Sequence, residues 1–255
     1  MGGTDGSLPW GDAMTEKSDT RVTAALAISG GGVALIGNLL APRINGDNVD
    51  VYRKIADSTR FAAAGVIVLA AVLLVTAAFV GITHTPGLRA TGGLAYYGRL
   101  AAVVGGSLAV LQTGVELYGY RYLAKAFAGA DDHNVVSAFW ATNALDHLSS
   151  AMFALWTLVL LGIAPVLIGA GQLRARVRPG WVGIVAVVGG AVCAVVGVAS
   201  LLHEDQSTFD VPFLIGSLLV TVWIVATGVF LWRAAPDDVV DLSAGAVRPG
   251  VAAGH

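Results

Sequence analysis

An all-α bundle of six membrane-spanning helices is the fold this sequence predicts. The chain of 255 residues is 56% hydrophobic and only 13% charged, whereas soluble domains carry about 25% charged residues. Its mean hydropathy is +0.74. Six apolar stretches recur along it, at Val22–Ala41, Phe61–Ile82, Leu94–Val115, Leu148–Ala170, Val182–Leu202 and Val211–Trp232. A helix rises about 1.5 Å per residue, so about 20 apolar residues cover a hydrocarbon core of about 30 Å.

Taken in order, residues 1–20 are polar and mixed in charge, and are expected as a disordered cytoplasmic tail. No cleavable signal peptide is expected, because the first apolar run continues for a full span. Residues 21–235 are expected as the transmembrane domain and residues 236–255 as a second disordered tail. The Gly30-Gly31-Gly32 run lies inside the first span with no strand before it, so it is not a phosphate loop. The third helix runs on from Leu94 to Phe127 without a proline or interior break signal, and the fourth from Val135 to Ala170, kinked near Pro165. Each is about 50 Å long, more than a membrane requires. The turn Gly129-Ala130-Asp131-Asp132-His133 joins them into an antiparallel hairpin that stands above the outer surface. Tyr118, Tyr120, Tyr122 and Trp140 are placed for an interfacial aromatic belt.

Six spans put both termini on one side. Nine basic residues fall there (Lys17, Arg21, Arg89, Arg99, Arg174, Arg176, Arg178, Arg233, Arg248) and six on the other side (Arg43, Arg53, Lys54, Arg60, Arg121, Lys125). The short Leu173–Pro179 loop, with three arginines and no acid, carries the best signal. The expected orientation has both termini in the cytoplasm, in a bacterial plasma membrane. The lipid bilayer is the first partner, and a net charge of −2 gives no reason to expect nucleic acid. The single Cys193 excludes an intrachain disulfide and a Cys-rich metal site.

Helices in lipid pack through small residues, because lipid tails are as apolar as leucine. Three spans carry stripes of small residues at spacings of three and four. The first has Ala24, Ala27, Gly31, Ala34, Asn38 and Ala41; the third has Gly98, Ala102, Gly105, Ala109, Gln112, Glu116 and Gly119; the fifth has Gly183, Ala186, Gly190, Cys193, Gly197 and Ser200, reaching Glu204 if the helix continues. The fourth helix supplies a polar face of Asn143, His147, Ser150, Ala154 and Thr157, with Asp146 adjacent. Glu116 lies fifteen residues before Asp131 and Asp146 fifteen after it, so the two carboxyls share one height in an antiparallel pair. These spacings predict one polar pocket near the outer edge of the membrane core.

In that pocket Glu116, Asp146 and His147 are the candidate catalytic residues, with Glu116 or Asp146 as acid or base. Asn38, Gln112, Tyr120, Asn143, His203 and Glu204 are the candidate ligand-binding residues. His147, His203, Glu116 and Glu204 are the candidate set for a divalent metal, since imidazole and carboxylate suit Fe, Zn or Mn. No His-x-x-x-His or Glu-x-x-His spacing supports that set, and no nucleotide-cofactor motif is present. The bland alternative makes each of these residues an interhelical contact or a solvated loop residue.

Two functions fit. One is a membrane-embedded enzyme or ligand-binding protein acting on a small or lipophilic molecule. The other is a non-enzymatic accessory or assembly subunit, whose small-residue faces serve a second copy or a partner subunit. A transporter needs a polar path through the bilayer, and Arg99 and Thr157 alone do not line one.

Three segments resemble the uncharacterised six-span bacterial membrane proteins grouped as DUF4386, especially their actinobacterial members. They are Leu108-Ala-Val-Leu-Gln-Thr-Gly-Val-Glu116; Leu161-Gly-Ile-Ala-Pro-Val-Leu-Ile-Gly169 followed by Arg174, Pro179-Gly-Trp181 and Gly183; and Trp223 with Gly228 and Leu231-Trp232-Arg233. The resemblance implies a six-helix membrane bundle and no established activity.

Overall fold

The computed structural model describes residues 9–40, 48–176, 179–203 and 206–234, and among them there are helices and turns but no strand. The helices are α1 (Pro9–Leu40), α2 (Asn48–Asp57), α3 (Thr59–Thr83), the single turn α4 (Pro86–Arg89), α5 (Gly93–Ala128), α6 (Val135–Ala175), α7 (Gly180–Leu202) and α8 (Asp210–Ala234). Six of them are long and apolar enough to cross a membrane, as expected. α1 starts at Pro9, a favoured first helical residue because its missing N–H has no intrahelical acceptor there. Residues 9–20, expected as disordered tail, are therefore helical. The rest of both expected tails lies outside the described residues.

α5 and α6 form the expected hairpin, with 36 and 41 residues, which makes them about 54 and about 62 Å long at 1.5 Å per residue. At the turn, Asp131 Oδ1 accepts from the Asn134 backbone N–H at 3.0 Å and from Asn134 Nδ2 at 2.8 Å. Such an Asx turn satisfies donors that the start of α6 would leave open. Both rods contain a π-helical segment, Val115–Tyr120 in α5 and Thr157–Ile163 in α6. The second ends two residues before Pro165, whose ring excludes the normal bond to the carbonyl four residues back; a widened turn accommodates it. The first lies within a helix that runs unbroken, as expected, and widens one turn of it.

The six long helices close a ring. α1 packs between α3 and α8, α3 against α5, α5 against α6, α6 against α7, and α7 against α8. The predicted small-residue stripes are the seams. Ala24, Ala27 and Gly31 of α1, Gly98, Ala102, Gly105 and Ala109 of α5, and Gly183, Ala186, Gly190, Cys193, Gly197 and Ser200 of α7 are all buried. At Gly105 a Cβ would stand 2.5 Å from the Leu160 backbone nitrogen, and at Gly197 it would stand 2.7 Å from that of Leu158. Only hydrogen at these Cα atoms lets α5 and α7 lie against α6. The faces turned outward carry apolar side chains such as Leu111, Val188 and Val195, as lipid contact requires.

α2 is too short and too polar to appear among the apolar stretches, yet it completes the fold. Its Tyr52, Ile55 and Ala56, spaced three and four on one helical face, pack on Tyr120, Ala124 and Phe127 of α5 in a second apolar cluster. The Tyr52 ring meets Tyr120, Phe127 and Phe139 at centroid distances of 5.8, 5.9 and 5.9 Å. Arg53 and Lys54 face outward. The hairpin tip is thus covered on one side by an amphipathic helix.

Candidate functional site

The polar centre lies between α5 and α6. Gln112 Nε2 donates a short hydrogen bond to Glu116 Oε1 and a second bond to Ser149 Oγ at 3.2 Å. Ser149 Oγ donates to the same Glu116 oxygen at 2.8 Å, and Trp156 Nε1 donates to Gln112 Oε1 at 2.8 Å. Both donors to the carboxyl use Oε1, which leaves Oε2 without a hydrogen bond among the described residues. The π segment helps to set this arrangement. One extra residue in a turn rotates the remainder of the helix by about 100°, and Glu116 and Tyr120, both within the segment, meet α6.

One turn nearer the tip, Tyr120 and the Asp146 carboxyl lie near enough to interact. Asp146 is close enough to Glu116 for their charges to interact. Tyr52 of α2 donates its hydroxyl to Asn143 Oδ1 at 3.1 Å. Burial, followed by the negative charge of Asp146, pushes the Tyr52 phenol up to about 12. Two hydrogen-bonded groups thus lie along the hairpin, Trp156–Gln112–Glu116–Ser149 inside the bundle and Tyr52–Asn143 beneath α2, with Tyr120 and Asp146 between them.

The expected pocket is partly assembled. Gln112, Glu116, Tyr120, Asn143 and Asp146 come together. Tyr120 is a member by burial and not a belt residue: it is 6% exposed, while Tyr118, Tyr122 and Trp140 are 81%, 65% and 62% exposed. His147 is exposed, beside Asp146 but outside the hydrogen-bonded set. His203 is also exposed. α7 stops at Leu202, and His203 is extended, with φ −123° and ψ 134°, so the condition for the α7 stripe to reach Glu204 is not met. The His203 ring lies 5.8 Å from that of Phe209. Glu204 and the Asn38 side chain lie outside the described residues. Among the described residues no three His, Cys, Asp or Glu side chains are grouped to hold a metal, so Glu116, His147 and His203 do not form the expected metal set.

Ser149, Trp156 and Tyr52 belong to the site although the sequence patterns do not single them out. Ser149 and Trp156 continue a repeat from Thr142 through Asp146 and Phe153, spaced four, three, four and three. That repeat is offset by one residue from the expected face of Asn143, His147, Ser150 and Ala154. The signal for Tyr52 is the three-four spacing of apolar residues in α2.

Trp156 also lines a partly open chamber of about 90 Å³ among α1, α3, α6 and α8. Its other walls include Gly31, Val72, Leu160, Phe213 and Ile224, with Ser217 and Thr221 the polar exceptions. For scale, an apolar cavity of about 150 Å³ holds benzene. One side of the Trp156 indole thus faces an apolar chamber, while its N–H holds the glutamine that holds Glu116.

Comparisons with known protein families, curated proteins and solved structures return no match.

Proposed function

We propose that this protein binds a small lipophilic molecule inside the membrane, with its apolar part toward the α1–α3–α6–α8 chamber and a polar group at Glu116. The observation that carries this reading is the position of Trp156, shared by the chamber wall and the Gln112–Glu116–Ser149 network. A carboxyl in the membrane region is costly, and such residues commonly mark a substrate or ion path. Here Glu116 has one oxygen held by two donors and the other open to a ligand. π segments are also frequent at functional sites, and Glu116 lies in one.

In the enzymatic form of this reading, Glu116 exchanges a proton with the bound molecule through Oε2, while Gln112 and Ser149 hold the carboxyl in place. Asp146, beside Tyr120, is the neighbouring acid. His147 lies on the exposed side of α6 and takes no part in this form. In the non-enzymatic form the same contacts only bind. We further propose a bacterial plasma membrane location with both termini cytoplasmic, from the arginine-rich Leu173–Pro179 loop.

The test is extraction of small molecules from protein purified in mild detergent, with their identification by mass spectrometry. The wild-type protein is expected to carry a lipophilic compound that Glu116→Gln loses while remaining monodisperse. Equal recovery from both proteins would make the network structural.

The accessory-subunit reading is favoured by one observation. Tyr118, Tyr122, Val136 and Trp140 leave apolar surface exposed near the hairpin tip, a surface that suits a partner protein. Co-purification of a second subunit, lost on Trp140→Ala and Tyr118→Ala substitution, would support it.

A further inference from the structure

At the opposite end of the bundle from the hairpin tip, the α3–α5 connection forms a pocket of about 250 Å³ with Arg89, Arg99, His84, Gly92 and Tyr96 in its wall. Arg99 is held in place. Its Nη1 donates to His84 Nε2 at 2.9 Å, and its guanidinium carbon lies 5.7 Å from the Tyr96 ring centroid. His84 Nδ1 lies 2.8 Å from the Val80 carbonyl oxygen. A carbonyl can only accept, so Nδ1 carries the proton and Nε2 presents its lone pair to Arg99. A guanidinium has five N–H donors, and His84 occupies one of those on Arg99. Among the described residues neither Arg89 nor Arg99 has a carboxylate partner.

The backbone adds to this positive field. Gly92, at φ +59°, adopts a conformation that other residues rarely take, and α5 starts at the next residue. The first-turn amides of α5 have no intrahelical acceptors, and the helix dipole places partial positive charge there. Tyr96, in the pocket wall, and Tyr97, whose ring lies 5.2 Å from it, are 54% and 59% exposed. Exposed tyrosines at the end of a span mark the level of lipid headgroups.

We propose that this pocket binds the phosphate of an anionic phospholipid headgroup, with Arg89 and Arg99 as its charge partners and the start of α5 as its backbone contact. Basic pockets between membrane helices take such headgroups, and a guanidinium matches phosphate with paired donors. The site is separate from the Glu116 network and does not depend on the function assigned to it.

Native mass spectrometry of the full-length protein, delipidated in a nonionic detergent, tests this. The probes are phosphatidylglycerol, phosphatidylcholine and inorganic phosphate, each added alone. One phosphatidylglycerol is expected to bind in preference to phosphatidylcholine. The double variant Arg89→Gln/Arg99→Gln is expected to weaken that adduct roughly tenfold to thirtyfold, from about 1 kcal/mol per basic residue. Arg174→Gln, an exposed arginine at the end of α6, is expected to leave it unchanged. If the double variant does not fold, Arg89→Gln alone gives the reading, since its exposed side chain makes no described contact. An undiminished adduct in the arginine variants would overturn the proposal, as would equal binding of phosphatidylcholine. Binding of inorganic phosphate with no lipid adduct would overturn the lipid source and assign the site to free phosphate.

Discussion

Trp156 and Gln112, on α6 and α5, meet through an indole N–H donated to an amide oxygen at 2.8 Å. This contact joins an apolar chamber to a carboxyl network between the two longest helices. Gln112 uses its other end on Glu116 and Ser149, so its oxygen and nitrogen are both engaged. The same pairing recurs where Trp223 Nε1 donates to Gln172 Oε1 at 2.9 Å. In both cases the oxygen of a buried amide inside a membrane domain accepts from a side chain that also packs as an apolar body, but only Gln112 has its nitrogen bonded as well; Gln172 Nε2 is buried with no hydrogen-bond partner among the described residues.

Trp156→Phe should therefore act on stability and on the chamber together. Interhelical hydrogen bonds in membranes contribute about 0.6 kcal/mol on average and up to about 1.7. We expect a loss of about 0.5–2 kcal/mol in a reversible denaturant titration in detergent. The smaller ring should also admit larger apolar ligands than the wild-type chamber of about 90 Å³. An unchanged unfolding midpoint would show that Gln112 finds another donor.

Gly105→Val should break the α5–α6 seam, because a Cβ there meets Leu160 backbone atoms at 2.5 and 2.8 Å, and these cannot rotate away. Overpacking typically costs about 1–3 kcal/mol, and with backbone as the obstacle the upper end is expected. The control is Gly32→Ala, which has nothing within 4 Å and should keep the wild-type profile. Size-exclusion chromatography in detergent separates the two outcomes. A monodisperse, fully folded Gly105→Val protein would contradict the close approach of the helices.

Tyr52 supplies a pH-dependent element outside the membrane span. Its folded phenol is raised to about 12, from an ordinary value near 10. A group raised on folding stabilises fully below its unfolded value and loses that contribution as pH climbs through the folded one. Docking of α2 on the hairpin should thus weaken between about pH 10 and about pH 12. The tyrosinate absorbance difference between wild type and Tyr52→Phe measures it. A Tyr52 component that titrates near the ordinary value would show that the ring is not held as described. Tyr52→Phe itself should cost about 1 kcal/mol through the lost bond to Asn143.

Orientation can be read from thiol labelling, since the one native cysteine, Cys193, is buried. With a membrane-impermeant maleimide on intact cells, wild type should stay unlabelled and Ala130→Cys, at the hairpin tip, should label. Arg174→Cys, at the end of α6, should label only after lysis. The reverse pattern would place the termini outside.

The stretches of about 20 apolar residues determined, from the sequence alone, that the chain builds six membrane helices. The small-residue stripes identified which faces of α1, α5 and α7 meet neighbours, because only small side chains let helices approach in lipid. The equal spacing of Glu116 and Asp146 from the hairpin turn predicted two carboxyls at one height; in the structure Ser149 is the residue facing Glu116, and Asp146 lies one turn nearer the tip, beside Tyr120. Tertiary structure decided the rest. Two polar repeats on α6, one through Asn143, His147 and Ser150 and one through Thr142, Asp146 and Ser149, have the same spacing and differ by about 100° in direction. Periodicity cannot choose between them; packing against α5 did, burying Ser149 and leaving His147 exposed. The π segment of α5 has no break signal in the sequence, and α2 has no apolar run long enough to announce it. A helix of ten residues is marginal alone in water, so its place over Tyr120 and Phe127 exists only once the hairpin has formed.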